Sequence, residues 1–519
     1  MKKQGTARIC VPVCVSRASE IAPAIARAAE VADIIELRLD CLTEADFYEV
    51  ERHLAELLQH SPRPLIFTFR PAEQGGQREL GQKKRFDFWC SEGSKLTKDT
   101  ARYVDVELDA ALFLAKAEKY LGTTPDWSRV ICSYHDFIDT HSDLEQIRER
   151  MNRTPARILK IAVQADDITD CLPVLQLLES ARRSGREMIV IAMGAAGILT
   201  RILAPSRGAF LTYGALDEKQ KTAPGQIKAI ELRDLYRVHQ LNHQTEIMGL
   251  VGQPVGHTFS PYIHNAAFAA RGMNAVYIPF EVHQLNEFMN RMVDPRTREL
   301  EWKLRGLSVT APHKQAIMRH LDWIEPSAQE IGAVNTVVVK DQTLLGYNTD
   351  TDAALAPLRD VIELSGARVA VIGAGGAARA LLWILRDRGA RVTVFARSVE
   401  RATEAASKFG AQCERLGGAS FGEFDLVINA TPLGTRGYRE DETPAIASQL
   451  RGARIAYDLV YNPRETRFMR EALTAGCHTL GGLDMLVAQA AAQFELWTGA
   501  EAPFAAMREA AEKAVMSDK

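Results

Sequence analysis

Eight short apolar runs recur at a steady interval through the N-terminal half of the chain, at 8–15, 34–40, 64–70, 103–108, 129–136, 157–163, 187–194 and 210–216. Each has the length and composition of a strand. Amphipathic helical patterns lie between them, among them 19–31, 44–58, 110–121, 144–151 and 170–183. Eight strand–helix units in roughly 230 residues predict a TIM-type (β/α)8 barrel, in which the chemistry sits at the C-terminal ends of the strands. Polar residues at those ends are therefore candidate site residues.

The second run, Ile34-Ile35-Glu36-Leu37-Arg38-Leu39-Asp40, puts Glu36 and Arg38 on one face, because strand side chains alternate. The third run ends in Arg70, the fifth in Tyr134-His135-Asp136, and the sixth carries Lys160 among apolar residues. A buried ammonium group must lose affinity for its proton, find a partner or snorkel to the strand end. A neutral amine in that setting can attack a carbonyl and form a Schiff base. One such residue reads as structural, but two arginines, a glutamate, a histidine and a lysine at one barrel mouth favour a site.

At 519 residues the chain exceeds what one hydrophobic core organises, so two or three domains are expected. The barrel occupies 1–240, and the polar, aperiodic stretch 241–246 reads as a linker. A second α/β unit at 247–355 precedes a dinucleotide-binding domain at 356–482. Helices within 483–515, with Leu483, Leu486, Ala490, Phe494 and Trp497 at helical spacing, are expected to pack back on the second unit.

The clearest single motif is the apolar run 368–372 leading into Gly373-Ala374-Gly375-Gly376-Ala377-Ala378 and a helical stretch closed by Gly389. This is the G-x-G-x-x-G/A fingerprint in its strand–turn–helix context, where glycines let a pyrophosphate approach the backbone at a helix N-terminus. The next strand, 391–395, is followed by Ala396-Arg397-Ser398, with Arg401 one helical turn on. An NAD site places an acidic residue there, and these cations suit the 2′-phosphate of NADP(H) instead.

Composition excludes several classes. Lys+Arg number 63 against 66 Asp+Glu, a net charge of -3, which gives no electrostatic reason to expect nucleic acid or an anionic membrane as partner. The longest uncharged apolar run, 188–199, is shorter than the ~20 residues a bilayer requires. Lys2-Lys3 before the run 9–15 imitates a signal peptide, but Arg17 and the lack of a small-residue cleavage site argue against one. The eight cysteines are scattered without a Cys-x-x-Cys pair, so neither a zinc site nor a disulfide framework is expected, and a cytoplasmic location fits.

Four stretches carry a resemblance in the first half. Phe67-Thr68-Phe69-Arg70, Ser133-Tyr134-His135-Asp136, Ile158-Leu159-Lys160-Ile161 and Ala223-Pro224-Gly225-Gln226 resemble the signatures of type I 3-dehydroquinate dehydratase, over nearly all of 7–240. The resemblance implies that Lys160 condenses with the C3 ketone of 3-dehydroquinate. His135 would be the general base at C2 and then the acid toward the C1 hydroxyl, with Glu36 orienting it. It further implies that Arg201 pairs with the substrate carboxylate, and that Arg38, Arg70, Thr222 and Gln226 hold the ring hydroxyls and the closing loop. Two departures stand out: Gln74 replaces a glutamate common in the loop after strand three, and Thr222 replaces a serine.

In the second half, Gly256-His257-Thr258-Phe259-Ser260-Pro261, Val309-Thr310-Ala311-Pro312-His313-Lys314, Ala333-Val334-Asn335-Thr336 and Asn348-Thr349-Asp350 join Asn429-Ala430-Thr431-Pro432, Asp458-Leu459-Val460-Tyr461 and the stretch from Gly481-Gly482 to Gln489. Together they resemble shikimate dehydrogenase over 247–500. That implies Lys314 as proton donor with Asp350 as its carboxylate partner. It implies substrate contacts from Thr258, Ser260, Thr310, Asn335, Tyr461 and Gln489, and NADP(H) contacts from Asn429, Thr431 and Gly482 beside the glycine loop. Thr258 stands where the family has serine, and one added methyl can change discrimination by roughly 1–3 kcal/mol, which leaves shikimate against quinate open. Ala396 stands where an asparagine is common, at the expense of adenosine contacts.

The expectation is a fused enzyme of the shikimate pathway that dehydrates 3-dehydroquinate and reduces the product with NADPH, without a metal. A non-catalytic metabolite sensor and a quinate dehydrogenase half are the alternatives.

Overall fold

The computed structural model describes residues 7–517 except 58–60, 99–100, 119–123, 139–142, 257 and 438; the side chains of 53–57, 401 and 517 are likewise not described. The chain divides into two compact units. One comprises Met1–Thr245 with Phe280–Met292 and Glu299–Trp302, and the other the remainder.

The first unit is built on eight parallel strands: β1 (Ile9–Val13), β2 (Ile34–Arg38), β3 (Leu65–Thr68), β4 (Arg102–Glu107), β5 (Val130–Asp136), β6 (Ile158–Gln164), β7 (Glu187–Met193) and β8 (Thr212–Tyr213). They follow the order β7-β6-β5-β4-β3-β2-β1-β8. Closure past the short β8 comes from Phe210 N–H donating to Met188 O at 2.8 Å. Helices such as Glu44–Leu57, Gln82–Leu96 and Cys171–Arg183 separate the strands. The resulting architecture is the TIM-type barrel. Ile34, Ile66, Ile131, Ile158 and Ile189 lie in one buried cluster, so β-branched side chains fill its interior.

Three local expectations fail, each for a tertiary reason. The strand 34–40 stops at Arg38, because Asp40 turns inward to accept from Arg38 Nε and Nη2 (2.9 and 2.7 Å), and the chain leaves the ladder through a 3-10 turn at Leu39–Cys41. After β8, where the alternation of strands and helices calls for a last barrel helix, the chain forms only a short π-helix, Glu231–Leu235, because 227–229 is held extended by Ala215 N–H to Ile227 O and Ala229 N–H to Ala215 O, both 2.8 Å. Cys14 and Cys41 form a disulfide, contrary to the cysteine reading, with Cα atoms 5.4 Å apart. The two residues lie just past the ends of β1 and β2, which pair in parallel from Cys10–Ile34 to Val13–Leu37. Strand pairing brings them together, and spacing along the chain does not reveal it.

Two further sheets follow, in the second unit except for Phe280 and Glu281. β9 (Glu246–Gly252), β10 (Ala275–Glu281), β11 (Lys303–Val309), β12 (Trp323–Ile324), β13 (Thr336–Lys340) and β14 (Thr343–Tyr347) run in the order β10-β9-β11-β13-β14-β12. β15 (Arg368–Ile372), β16 (Arg391–Ala396), β17 (Gln412–Arg415), β18 (Leu426–Asn429), β19 (Ile455–Asp458) and β20 (His478–Leu480) run in the order β17-β16-β15-β18-β19-β20. All pairs in that last sheet are parallel. This is the doubly wound dinucleotide order, with its switch point between β15 and β18, where a crevice opens at the strands' C-terminal ends. Helices Leu483–Thr498 and Phe504–Ser517 return to bury Phe494, Trp497 and Met507 in one cluster with Met248 and Phe268. Among the described residues no helix is long and apolar enough to cross a membrane.

Candidate active sites

All eight barrel residues singled out from sequence, Glu36, Arg38, Arg70, His135, Lys160, Arg201, Thr222 and Gln226, line one cavity. Alternation explains the convergence: Glu36, His135 and Lys160 occupy inward positions on strands of the same sheet. The Lys160 ammonium is 3 % exposed, and its partner requirement is met by Asp105 Oδ2 at 2.8 Å and Glu36 Oε1 at 3.6 Å. Glu36 also accepts from Thr68 Oγ1 at 2.7 Å.

His135 is met by Arg70 rather than by Glu36. Arg70 Nη1 lies 2.7 Å from His135 Nε2, and Arg70 Nη2 lies 2.8 Å from Asp105 Oδ1. A guanidinium has no lone pair to offer, so Nε2 accepts, and the ring is neutral with its proton assigned to Nδ1. Burial, then the charges of Arg70 and Lys160, hold the imidazole well below its usual value. Arg38 is fixed by Asp40 and donates to Gly75 O at 3.1 Å, so Gly75, not Gln74, lines the cavity.

Arg201 is 1 % exposed and donates to Pro224 O at 3.0 Å, with no carboxylate against it among the described residues. Burial alone pulls its guanidinium down to about 10. Gln226 Oε1 accepts from Thr222 N–H at 2.8 Å, which ties down the loop after β8. Gly225 there has φ +65°, and a Cβ would fall 1.9 Å from Gly194 O, so the Ala-Pro-Gly-Gln turn requires glycine.

In the second unit, Lys314 Nζ lies 2.5 Å from Asp350 Oδ2, and Asn335 Nδ2 donates to the other carboxylate oxygen at 2.8 Å. Asp350 opens the helix Asp350–Leu355, and its N–H donates to Asn348 Oδ1 at 3.0 Å, which fixes its direction. Thr258 Oγ1 and Ser260 Oγ are 3.1 Å apart, and the Tyr461 hydroxyl hydrogen-bonds Thr258. A buried chain links the two clusters: Ser260 to Tyr277, Tyr277 to Ser308 (2.8 Å), Ser308 to Gln493 (2.7 Å) and Gln493 to Thr336 (3.0 Å). Thr310 follows β11 directly, with its N–H on Val251 O at 2.9 Å. Gln489 accepts from Thr349 through its backbone carbonyl at 3.3 Å.

The glycine loop fits a dinucleotide. Gly373 has φ +115° with Ala430 O 3.0 Å from where a Cβ would sit, and the helix Gly376–Asp387 starts directly behind it. A Cβ on Gly376 would meet Lys314 Cδ at 3.0 Å, so the lysine stem lies against the loop. Ala374 and Ala377 are half-buried beside it. Asn429 is buried and shapes the neighbouring turn: it donates to Asp458 Oδ1 at 2.9 Å and accepts from Thr431 Oγ1 at 2.6 Å. A Cβ on Gly482 would come within 2.2 Å of Leu459 O. Arg397 is exposed at the end of β16, where Ser398 donates to Glu400 at 3.0 Å. The Arg401 side chain falls outside the described residues.

Family models match four successive stretches: Type I 3-dehydroquinase over 9–243, the shikimate dehydrogenase substrate binding domain over 250–337, Shikimate / quinate 5-dehydrogenase over 356–467 and the Shikimate 5'-dehydrogenase C-terminal domain over 482–512. A bifunctional 3-dehydroquinate dehydratase/shikimate dehydrogenase, chloroplastic, from Arabidopsis thaliana is 35% identical over 525 residues, covering 95% of this chain and 82% of that one. The chain belongs to the bifunctional 3-dehydroquinate dehydratase/shikimate dehydrogenase family. It is a lyase fused to an oxidoreductase of the shikimate pathway. A shikimate dehydrogenase (NADP(+)) from Moorella thermoacetica is 42% identical over 280 residues, 52% of this chain and 93% of that one. The solved shikimate 5-dehydrogenase of Thermus thermophilus, in complex with NADP(H) and shikimate, is 37% identical and covers 52% of this chain and 100% of that one, with a TM-score of 0.47.

In this dehydratase barrel, four buried or cavity-lining groups escaped the sequence reading: Arg85, Asp105, Glu107 and Tyr213. Asp105 and Glu107 alternate along β4, the same signal that marked Glu36 and Arg38, and could have been found. Arg70 and Lys160 hold Asp105 far below the carboxylate range, against the opposing effect of its burial. Glu107, 3.3 Å from Arg85 and 3.9 Å from Arg70, is pushed up to about 7 by burial. Tyr213 gave no signal, because aromatic residues are common in strands; its hydroxyl lies 3.0 Å from Lys160 Nζ. Gln493 of the dehydrogenase half was missed likewise, as one polar residue on a long helix.

Proposed function

We propose that Lys160 forms the Schiff base with the C3 ketone of 3-dehydroquinate and that His135 moves the protons. The observation that carries this reading is a buried amine lining the barrel cavity beside an imidazole kept neutral by burial and by cationic neighbours. The imine draws electrons from C2, so a neutral His135 can take the C2 proton and return it to the departing C1 hydroxyl. Arg201, a buried guanidinium facing the cavity without a carboxylate, pairs with the substrate's carboxylate. Glu36 and Asp105 hold the nitrogen in place and balance its charge while it is cationic. Borohydride added with 3-dehydroquinate is expected to leave a reduced adduct on the Lys160 peptide in mass spectra, and an unmodified peptide would overturn the reading.

In the second half, Lys314 donates a proton to the alkoxide formed from 3-dehydroshikimate, with Asp350 fixing the ammonium in position. The Gly373–Gly376 loop and Arg397 would hold NADP(H), which supplies hydride when bound. Thr258, Ser260 and Tyr461, joined by hydrogen bonds, grip the ring substituents as a unit. Because Thr258 is engaged by both neighbours, its added methyl has a defined direction, and the preference reads as shikimate over quinate. Comparing the two alcohols with NADP+ tests this, and a clear preference for quinate would reverse it.

A further inference from the structure

The amine that attacks a ketone ends with one proton too many on nitrogen, while the ketone oxygen ends with one too few. Something must carry that proton across. The oxygen lies two bonds from Nζ in the adduct, so the carrier has to stand within hydrogen-bond reach of the lysine and inside the cavity. Among the described residues, Asp105, Glu36 and Tyr213 approach Nζ, at 2.8, 3.6 and 3.0 Å. Asp105 is locked as a carboxylate between Arg70 and Lys160 and has no proton to give. Glu36 is the farthest of the three and is already engaged by Thr68. His135 stands on β5, beside Lys160 on β6, but makes no hydrogen bond to Nζ among the described residues, its Nε2 lying on Arg70 instead.

Tyr213 differs from all of them. It reaches Nζ from β8, two strands from β6 on the side away from β5, and lines the same cavity. Its oxygen accepts from the lysine, while its own hydrogen has no acceptor among the described protein groups. Burial and the neighbouring carboxylates and thiol push the phenol well above its usual value, so it holds its proton between turnovers.

We propose that Tyr213 is a catalytic residue of the dehydratase half, whose phenol relays one proton from Lys160 Nζ to the substrate's ketone oxygen during imine formation. The proposal rests on the Schiff-base reading of Lys160. The lone pair of Nζ forms the nitrogen–C3 bond, and the carbon–oxygen π bond breaks toward oxygen. Nitrogen passes its excess proton to the phenol oxygen as the phenol passes its own to the alkoxide. The product is a neutral carbinolamine, the phenol is regenerated, and no oxidant or reductant is involved. With the ketone side served by Tyr213, His135 remains free for the proton at C2.

Tyr213→Phe removes the hydroxyl and keeps the ring, whose centroid lies 4.3 Å from Nζ, so the packing beside the lysine is preserved. The wild-type chain should yield the Lys160 adduct with borohydride and 3-dehydroquinate; absence of that adduct would overturn the Schiff-base reading and this proposal with it. In Tyr213→Phe, adduct formation followed in a single turnover is expected to slow on the order of 10²-fold, the usual scale for one positioned proton-transfer group. The isotope effect on kcat with C2-deuterated substrate should then shrink toward unity, because imine formation has become the slow step. An unchanged rate of adduct formation would overturn the relay. So would slower turnover with an undiminished isotope effect, which would mean that the hydroxyl acts elsewhere.

Discussion

At the scale of single residues, the barrel site works by holding charges that would otherwise be expelled. Lys160 keeps two carboxylates near it, and Arg70 connects His135 to Asp105. The depressed His135 value has a definite sign. In the unfolded chain the ring takes a proton as pH falls through its ordinary value of 6.5, whereas the folded ring resists until well below that. His135 therefore costs stability as pH drops below 6.5, while the base stays in its active form. The acid limb of the dehydratase kcat/KM profile is accordingly expected well below pH 6.5. Arg70→Met removes one of the cations that depress the ring and should move that limb upward; a limb that stays in place would show that Arg70 does not set the proton affinity. On the reductase side, Lys314→Ala should lower turnover far more than it weakens NADPH binding measured by fluorescence titration. Equal losses in both would make Lys314 a packing residue against Gly376.

At the scale of elements, strand-end geometry made most of the site legible. Period-two alternation marked Glu36 and Arg38, and the strand–turn–helix pattern marked the glycine loop, since both signals depend on local sequence alone. What stayed hidden depends on contacts between distant segments. The Cys14–Cys41 bridge, the Arg70–His135 pair and the Tyr213–Lys160 contact each join different strands, and no spacing along the chain encodes them. Asp40 illustrates the cost of missing such a contact, because it looked like the last residue of a strand. It is fully buried and holds Arg38 by two bonds and Gln77 N–H at 3.0 Å, fastening the Gly75 loop to the end of β2. Asp40→Ala would strand a buried guanidinium, so a loss of about 3–5 kcal/mol is expected in denaturant unfolding, together with a large fall in dehydratase activity. The end of β16 makes a different, solvent-facing prediction. Arg397→Ala should raise KM for NADPH several-fold and leave that for NADH nearly unchanged; a parallel rise in both would place the 2′-phosphate contact elsewhere.

At the scale of the whole molecule, the proposed roles put two lysines to work in one chain, Lys160 as nucleophile and Lys314 as proton donor. The product of the first reaction is the substrate of the second, so a single optical signal, the loss of NADPH absorbance, reports the full sequence from 3-dehydroquinate. The most direct test supplies the purified chain and its Lys160→Ala variant with NADPH and either 3-dehydroquinate or 3-dehydroshikimate. The unmodified chain is expected to consume NADPH with both. Lys160→Ala should consume it only with 3-dehydroshikimate. Consumption of NADPH by Lys160→Ala from 3-dehydroquinate at the unmodified rate would contradict the assignment of two separate, lysine-centred activities to one chain.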